Sequence, residues 1–116
     1  MSNKPYRNKK IGQYIRESLV CCITGRANPV NHHIIGHGYS GMGTKAPDFL
    51  QMALSHELHT ELHDKGWKSF ESKYGYTQKE LTAQTMWKVH AGDVINLTEL
   101  DVPDWLIEEL EKIANE

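Results

Sequence analysis

The stretch VNHHIIGHGYSGMGTKAPDFLQMALSHELHTELHD, residues 30–64, decides how the chain folds. Val30 to Ile35 is rich in β-branched residues and predicts a strand. Gly36 to Gly43 holds four glycines in eight residues, too permissive a backbone for a regular element, and predicts a loop. Phe49 to Leu54 is apolar enough for a returning strand. Ser55 is then placed to cap a helix whose inner face carries Leu58 and Leu62, running to Asp64 and stopping at Gly66.

Working outward, Ile11 to Leu19 has a weak helical period. Leu19 to Ile23 is a short apolar run closed by Gly25, with Asn28-Pro29 beyond it, and predicts a further strand entering a turn. On the other side, Trp67, Phe70 and Tyr74 fall at helical spacing until Gly75. Thr77 and Glu80 form a capping box that opens a helix through Val89. Asp104 to Ile113 is amphipathic and begins beside Pro103. The expected fold class is α+β. A flexible basic arm is expected over residues 1–10 and a single domain over 11–116, of which 93–116 is an acidic helical extension.

Composition narrows the class. The 116 residues are 39% hydrophobic and 24% charged, as in ordinary globular proteins. Cys21 and Cys22 are adjacent and cannot pair without strain, so a disulfide scaffold is excluded and a reducing compartment is expected. No apolar run reaches the roughly 18 residues of a spanning helix, and the N-terminus lacks the pattern of a signal peptide; the expectation is a cytoplasmic protein without a membrane partner. The net charge of −2 hides a segregation: residues 1–16 balance at +5, residues 65–90 at +3 and residues 93–116 at −7. Such clustering permits nucleic-acid binding without arguing for it.

The seven histidines carry the chemistry. His59 and His63, four apart, share a helix face and can share one ion. His32 and His33 are adjacent on a strand and therefore point to opposite faces, so only one of them can join the same ion. Either pair alone recurs by chance; their order is what tells, with a glycine loop and Asp48 between them.

That order resembles the HNH, or ββα-metal, nucleases. The spacing is similar to the DNA-cleaving domains of colicins. The wording of Asn31 to Gly38, Gly41 to Ala46 and Leu54 to His63 resembles small phage HNH proteins related to recombination-enhancement nucleases. The resemblance implies a ββα-metal core with an N-terminal helix and additional C-terminal helices. It implies His32, His59 and His63 as ligands of one divalent metal ion, and His33 as general base. It places Asp48 where the family commonly has an asparagine that orients the base; an aspartate there is expected to raise the imidazole pKa. Lys45, Gly41, Gly43 and His37 are the expected contacts to nucleic acid.

The chemistry suits those residue types. Three neutral imidazoles leave a cation its full charge and open positions for phosphate oxygens. Their softness suits zinc, nickel or cobalt (Zn2+, Ni2+, Co2+), whereas the resemblance implies Mg2+ or Mn2+ for turnover. A structural zinc, common in relatives, is not expected, because the matching positions are Cys21, Thr24, Ser55 and Leu58. Trp67, Trp87 and Trp105 are read as core, His56 as surface and His90 as incidental.

The functional expectation is therefore a metal-dependent endonuclease hydrolysing DNA phosphodiester bonds in phage recombination or replication. DNA is its partner, and a recombinase a further one. Trp105, Leu106 and Ile113 offer a face for a homodimer. The rival expectations are a non-catalytic DNA-binding or recombinase-accessory module, and a metal-stabilised interaction module acting through the acidic C-terminal helix.

Overall fold

The computed structural model describes residues 5–39 and 45–116. Its elements are α1 (Lys9–Ser18), β1 (Val30–His33), β2 (Gln51–Leu54), α2 (His56–Lys65), α3 (Trp67–Tyr74), α4 (Gln78–Ala91), a 3₁₀ turn (Leu97–Glu99) and α5 (Asp104–Ala114). Five helices and one two-stranded antiparallel sheet make the protein α+β. The pairing sets His32 opposite Met52 and His33 opposite Gln51.

The helix ends follow their local chemistry. The Ser55 hydroxyl accepts the Leu58 N–H at 3.4 Å and opens α2, a cap of about 1 kcal/mol. Gly66 (φ 88°) closes it. Thr77 and Glu80 form a complete capping box on α4, and Gly75 ends α3 in the left-handed conformation. Around the hairpin pack α1, α2 and α4, with α5 against α4. The core joins Ile11 and Ile15 of α1, Met52 and Leu54 of β2, Leu62, Phe70, Leu81, Met86 and Leu106.

Three expectations change. Leu19 to Ile23 is not a strand. Of its backbone groups among the described residues, only the Cys22 N–H reaches β2, at Ala53 O (3.0 Å), while Cys21 N–H bonds Arg26 O and Gly25 N–H bonds Cys21 O, so the segment curls on itself. Both strands of the hairpin are shorter than expected. Beyond β1 the Gln78 side chain takes both backbone groups of Ile35, and ahead of β2 the Leu50 N–H closes a turn onto Pro47 O. Lastly, the ordered unit starts before Ile11. The Asn8 side chain accepts the Lys10 N–H and caps α1, and Arg7 bonds the carbonyls of Lys45 and Ala46. Residues 7–10 are therefore built into the domain and are not part of an arm.

Candidate functional site

The antiparallel pairing and the α2 cap together fix where the histidines go. Side chains alternate along β1, so His32 and His33 leave it on opposite faces. His32 is 1% exposed and meets the helix pair. Its Nδ1 lies 2.9 Å from Nδ1 of His59, and its ring centroid is 5.1 Å from that of His63. His59 and His63, one turn apart on α2, stand 4.6 Å apart by centroid. One nitrogen from each of His32, His59 and His63 lies within 4.8 Å of the others, a group that could hold a metal ion.

The electrostatics favour the neutral forms that ligation needs. Burial, with the charges of His59, His63 and His33 adding to it, pushes the His32 pKa down to about 3. Burial, then His63 and His56, lowers that of His59. His32 Nε2 is buried without a hydrogen-bond partner among the described residues. An orphaned buried nitrogen costs about 1–3 kcal/mol; the nitrogen of His32 that faces His59 is Nδ1. The donor chemistry is that of a three-histidine site for one divalent ion.

On the opposite face of β1, His33 Nε2 lies 2.8 Å from Asp48 Oδ1. The carboxylate is an acceptor, so Nε2 carries the proton and Nδ1 keeps its lone pair. Asp48 is held in turn by the Asn8 N–H on Oδ2 at 2.7 Å and by Arg7 on Oδ1 at 3.3 Å. Burial, with the charges of Lys45 and Arg7 adding to it, lowers the His33 pKa against the hydrogen bond and charge of Asp48, which act to raise it. The sequence-level expectation of a raised pKa is thus reversed, because this imidazole is desolvated as well as paired.

Sequence reasoning missed the supports of this pair. Gln51 Nε2 bonds Asp48 O at 2.9 Å, Asn31 Nδ2 bonds Gln51 Oε1 at 2.8 Å, and Arg16 bonds Asn31 Oδ1 at 2.9 Å. Polar side chains at alternate strand positions 31 and 33 were a signal available for Asn31. For Arg7 and Asn8 none existed, since their partner lies some forty residues on.

The remaining candidates separate. Lys45 is exposed and lines the same cleft as His33 and Asp48. His37 is exposed with a positive φ of 59° and packs at a tilt against Trp67, centroids 4.6 Å apart. Gly41 and Gly43 lie outside the described residues. Trp67 and Trp105 are half-buried and pack against the core as expected, whereas Trp87 is 39% exposed and is not a core residue. His90 is structural, its Nδ1 accepting the Leu97 N–H at 3.1 Å. Cys21 is 1% exposed, its sulfur accepting the Thr24 N–H at 3.4 Å. Among the described residues, no helix is long and apolar enough to cross a membrane.

Comparison with known proteins overturns the family expected from the motifs. The family model that matches the chain is not an HNH nuclease family; it covers residues 2–92 and is described as "Protein of unknown function (DUF968)". A relative from Escherichia coli (strain K12), named "Uncharacterized protein YdfU", is 48% identical over 65 residues, which is 56% of this chain and 18% of that protein. The chain therefore spans under a fifth of that relative's length. No solved structure matches the chain. With most of its length matched by that model, the chain belongs to the DUF968 family.

Proposed function

We propose that the protein is a metal-dependent endonuclease that hydrolyses phosphodiester bonds of DNA, with β1, β2 and α2 acting as one ββα metal-holding unit. The observation that carries this reading is the division of labour on β1: His32 faces His59 and His63, while the next residue, His33, is paired with Asp48 at 2.8 Å. A three-imidazole group beside an oriented, desolvated imidazole combines what hydrolysis of a phosphodiester requires.

His32, His59 and His63 would hold the ion. When bound, it supplies charge neutralisation at the phosphate and stabilises the leaving 3′ oxygen. His33 takes a proton from water at Nδ1 as the water oxygen attacks phosphorus and the bond to the 3′ oxygen breaks. Asp48 keeps Nε2 protonated and the ring aimed, and its charge steadies the imidazolium that forms. Arg7 and Asn8 hold Asp48 by its two oxygens. The ion for turnover is Mg2+ or Mn2+, and the imidazole set also suits Zn2+ or Ni2+.

Cleavage of plasmid and single-stranded DNA across a panel of these metals tests the reading. Strand scission that needs added metal and is lost in His33→Ala is the expected result. Cleavage unchanged in His33→Ala would sink the assignment of the base. Binding without scission under every metal would leave a non-catalytic DNA-binding module.

A further inference from the structure

Lys9, Gly12 and Arg16 are spaced three and four residues apart, so they share one face of α1. That face looks at β1: Arg16 donates to Asn31 Oδ1 at 2.9 Å. Gly12 is buried in the middle of the helix, where glycine costs about 1 kcal/mol relative to alanine. Its lack of a side chain has a use, because a Cβ there would lie 2.9 Å from Asn31 Nδ2 and 3.1 Å from the Arg16 guanidinium. The glycine thus lets α1 lie close over the strand and leaves a cleft of about 310 Å³, lined by Lys9, Arg16, Asn31, Lys45, His33 and Asp48 among others.

The charges in this cleft are uncompensated. Its acid, Asp48, is already engaged by Arg7, Asn8 and His33. Lys9, Arg16 and Lys45 have no carboxylate partner among the described residues. The single acid of α1, Glu17, is bonded by Gln13 at 3.3 Å and lines a different cleft. Arg16 is held by a neutral amide oxygen, which orients the guanidinium without cancelling its charge. That is how an arginine is prepared for a phosphate.

We infer that this α1–β1 cleft is a second phosphate subsite, which takes the backbone of a nucleic-acid strand one or two nucleotides from the phosphodiester at His33. The register rests on the hydrolase reading above. Asn31 and His33 stand two residues apart on one face of β1, a separation of about 6.6 Å. Phosphates follow one another at about 3.4 Å along the axis for each strand of a duplex. Arg16 and Lys9 grip the flanking phosphate, and Lys45 lies at the His33 end.

The test is binding of a fluorescein-labelled 20-nucleotide single strand, followed by anisotropy in EDTA between 50 and 200 mM salt. Without metal, affinity is read apart from turnover. Each phosphate contact contributes about 0.7 to the slope of log K against log salt for single strands. The double variant Arg16→Gln, Lys9→Gln is expected to lose about 0.7 from that slope, the share of the one phosphate both residues grip. Arg16→Lys should keep it, as should Lys112→Gln on the acidic α5. Melting temperatures of all variants check that they fold. A wild-type slope in the double variant, or no binding by the wild type, overturns the subsite. Scission with an Arg16-independent slope removes the subsite and keeps the hydrolase; an Arg16-dependent slope without scission under any metal keeps the cleft as a nucleic-acid site and removes the hydrolase.

Discussion

The backbone N–H of Asn8 lies 2.7 Å from Oδ2 of Asp48, tying the residue that caps α1 to the carboxylate that orients His33. Asp48 accepts from Asn8, Arg7 and His33 at once. In Asp48→Asn one of those donors meets an NH2 group. Stability is expected to fall by about 1–3 kcal/mol through an unmet buried partner. Scission should fall by about 10²-fold or more through loss of the oriented base. Urea denaturation and cleavage rates, measured on the same preparation, check both.

The proposed ligation and the proposed base catalysis can be separated, because β1 sends His32 and His33 to different faces. A divalent ion that binds the folded chain alone stabilises it by about 2.7 kcal/mol at a hundred times its dissociation constant. His63 is exposed, so His63→Ala should fold and lose that metal-induced rise in melting temperature. His33→Ala should keep the rise and lose cleavage. A rise that survives His63→Ala would remove that residue from the ligand set.

Cys22 gives a pH dependence away from the site. Burial, reinforced by the neighbouring Cys21, pushes its thiol up to about 12 from an ordinary 9.0, and its Sγ–H donates to Ala53 O at 3.0 Å. The folded state therefore holds this proton more tightly than the unfolded chain does. The stabilisation is complete below pH 9 and is lost as pH rises from there towards 12. By pH 10.5 the loss should reach about 2 kcal/mol relative to pH 8. The Cys22→Ala variant should lack this increment; equal losses in both proteins would contradict the assignment.

Thr77→Ala removes half of the capping box that opens α4. A loss of about 1 kcal/mol is expected, read as a lower urea midpoint at unchanged m-value. Cleavage per folded molecule should not change, because Thr77 does not line the cleft that holds His33.

What the sequence made legible was local. The caps at Ser55 and Thr77 and the stops at Gly66 and Gly75 all follow from residues within a few positions of one another; the hairpin was legible from two apolar runs on either side of a glycine loop. What stayed hidden was set at long range. Leu19 to Ile23 is the local exception: it has the composition of a strand, but its backbone groups close on Arg26 and on themselves. Arg7 and Asn8 look like part of a basic tail until Asp48 is placed beside them. The His33 pKa depends on burial, which no spacing reports. The motif of residues 30–64 also proved insufficient to name the family, because the DUF968 model spans that whole stretch.

The bond from Asn8 to Asp48 also makes the site observable by solvent exchange. An amide just ahead of a helix ordinarily trades its proton with water quickly, since it lies outside the helical ladder. Here that one proton is held by a buried carboxylate. Its exchange rate reports how often the N-terminal segment lifts away from the His33–Asp48 pair, at single-residue resolution and with no substrate present. Deuterium uptake at Asn8 therefore gives a clock for the assembly of the site.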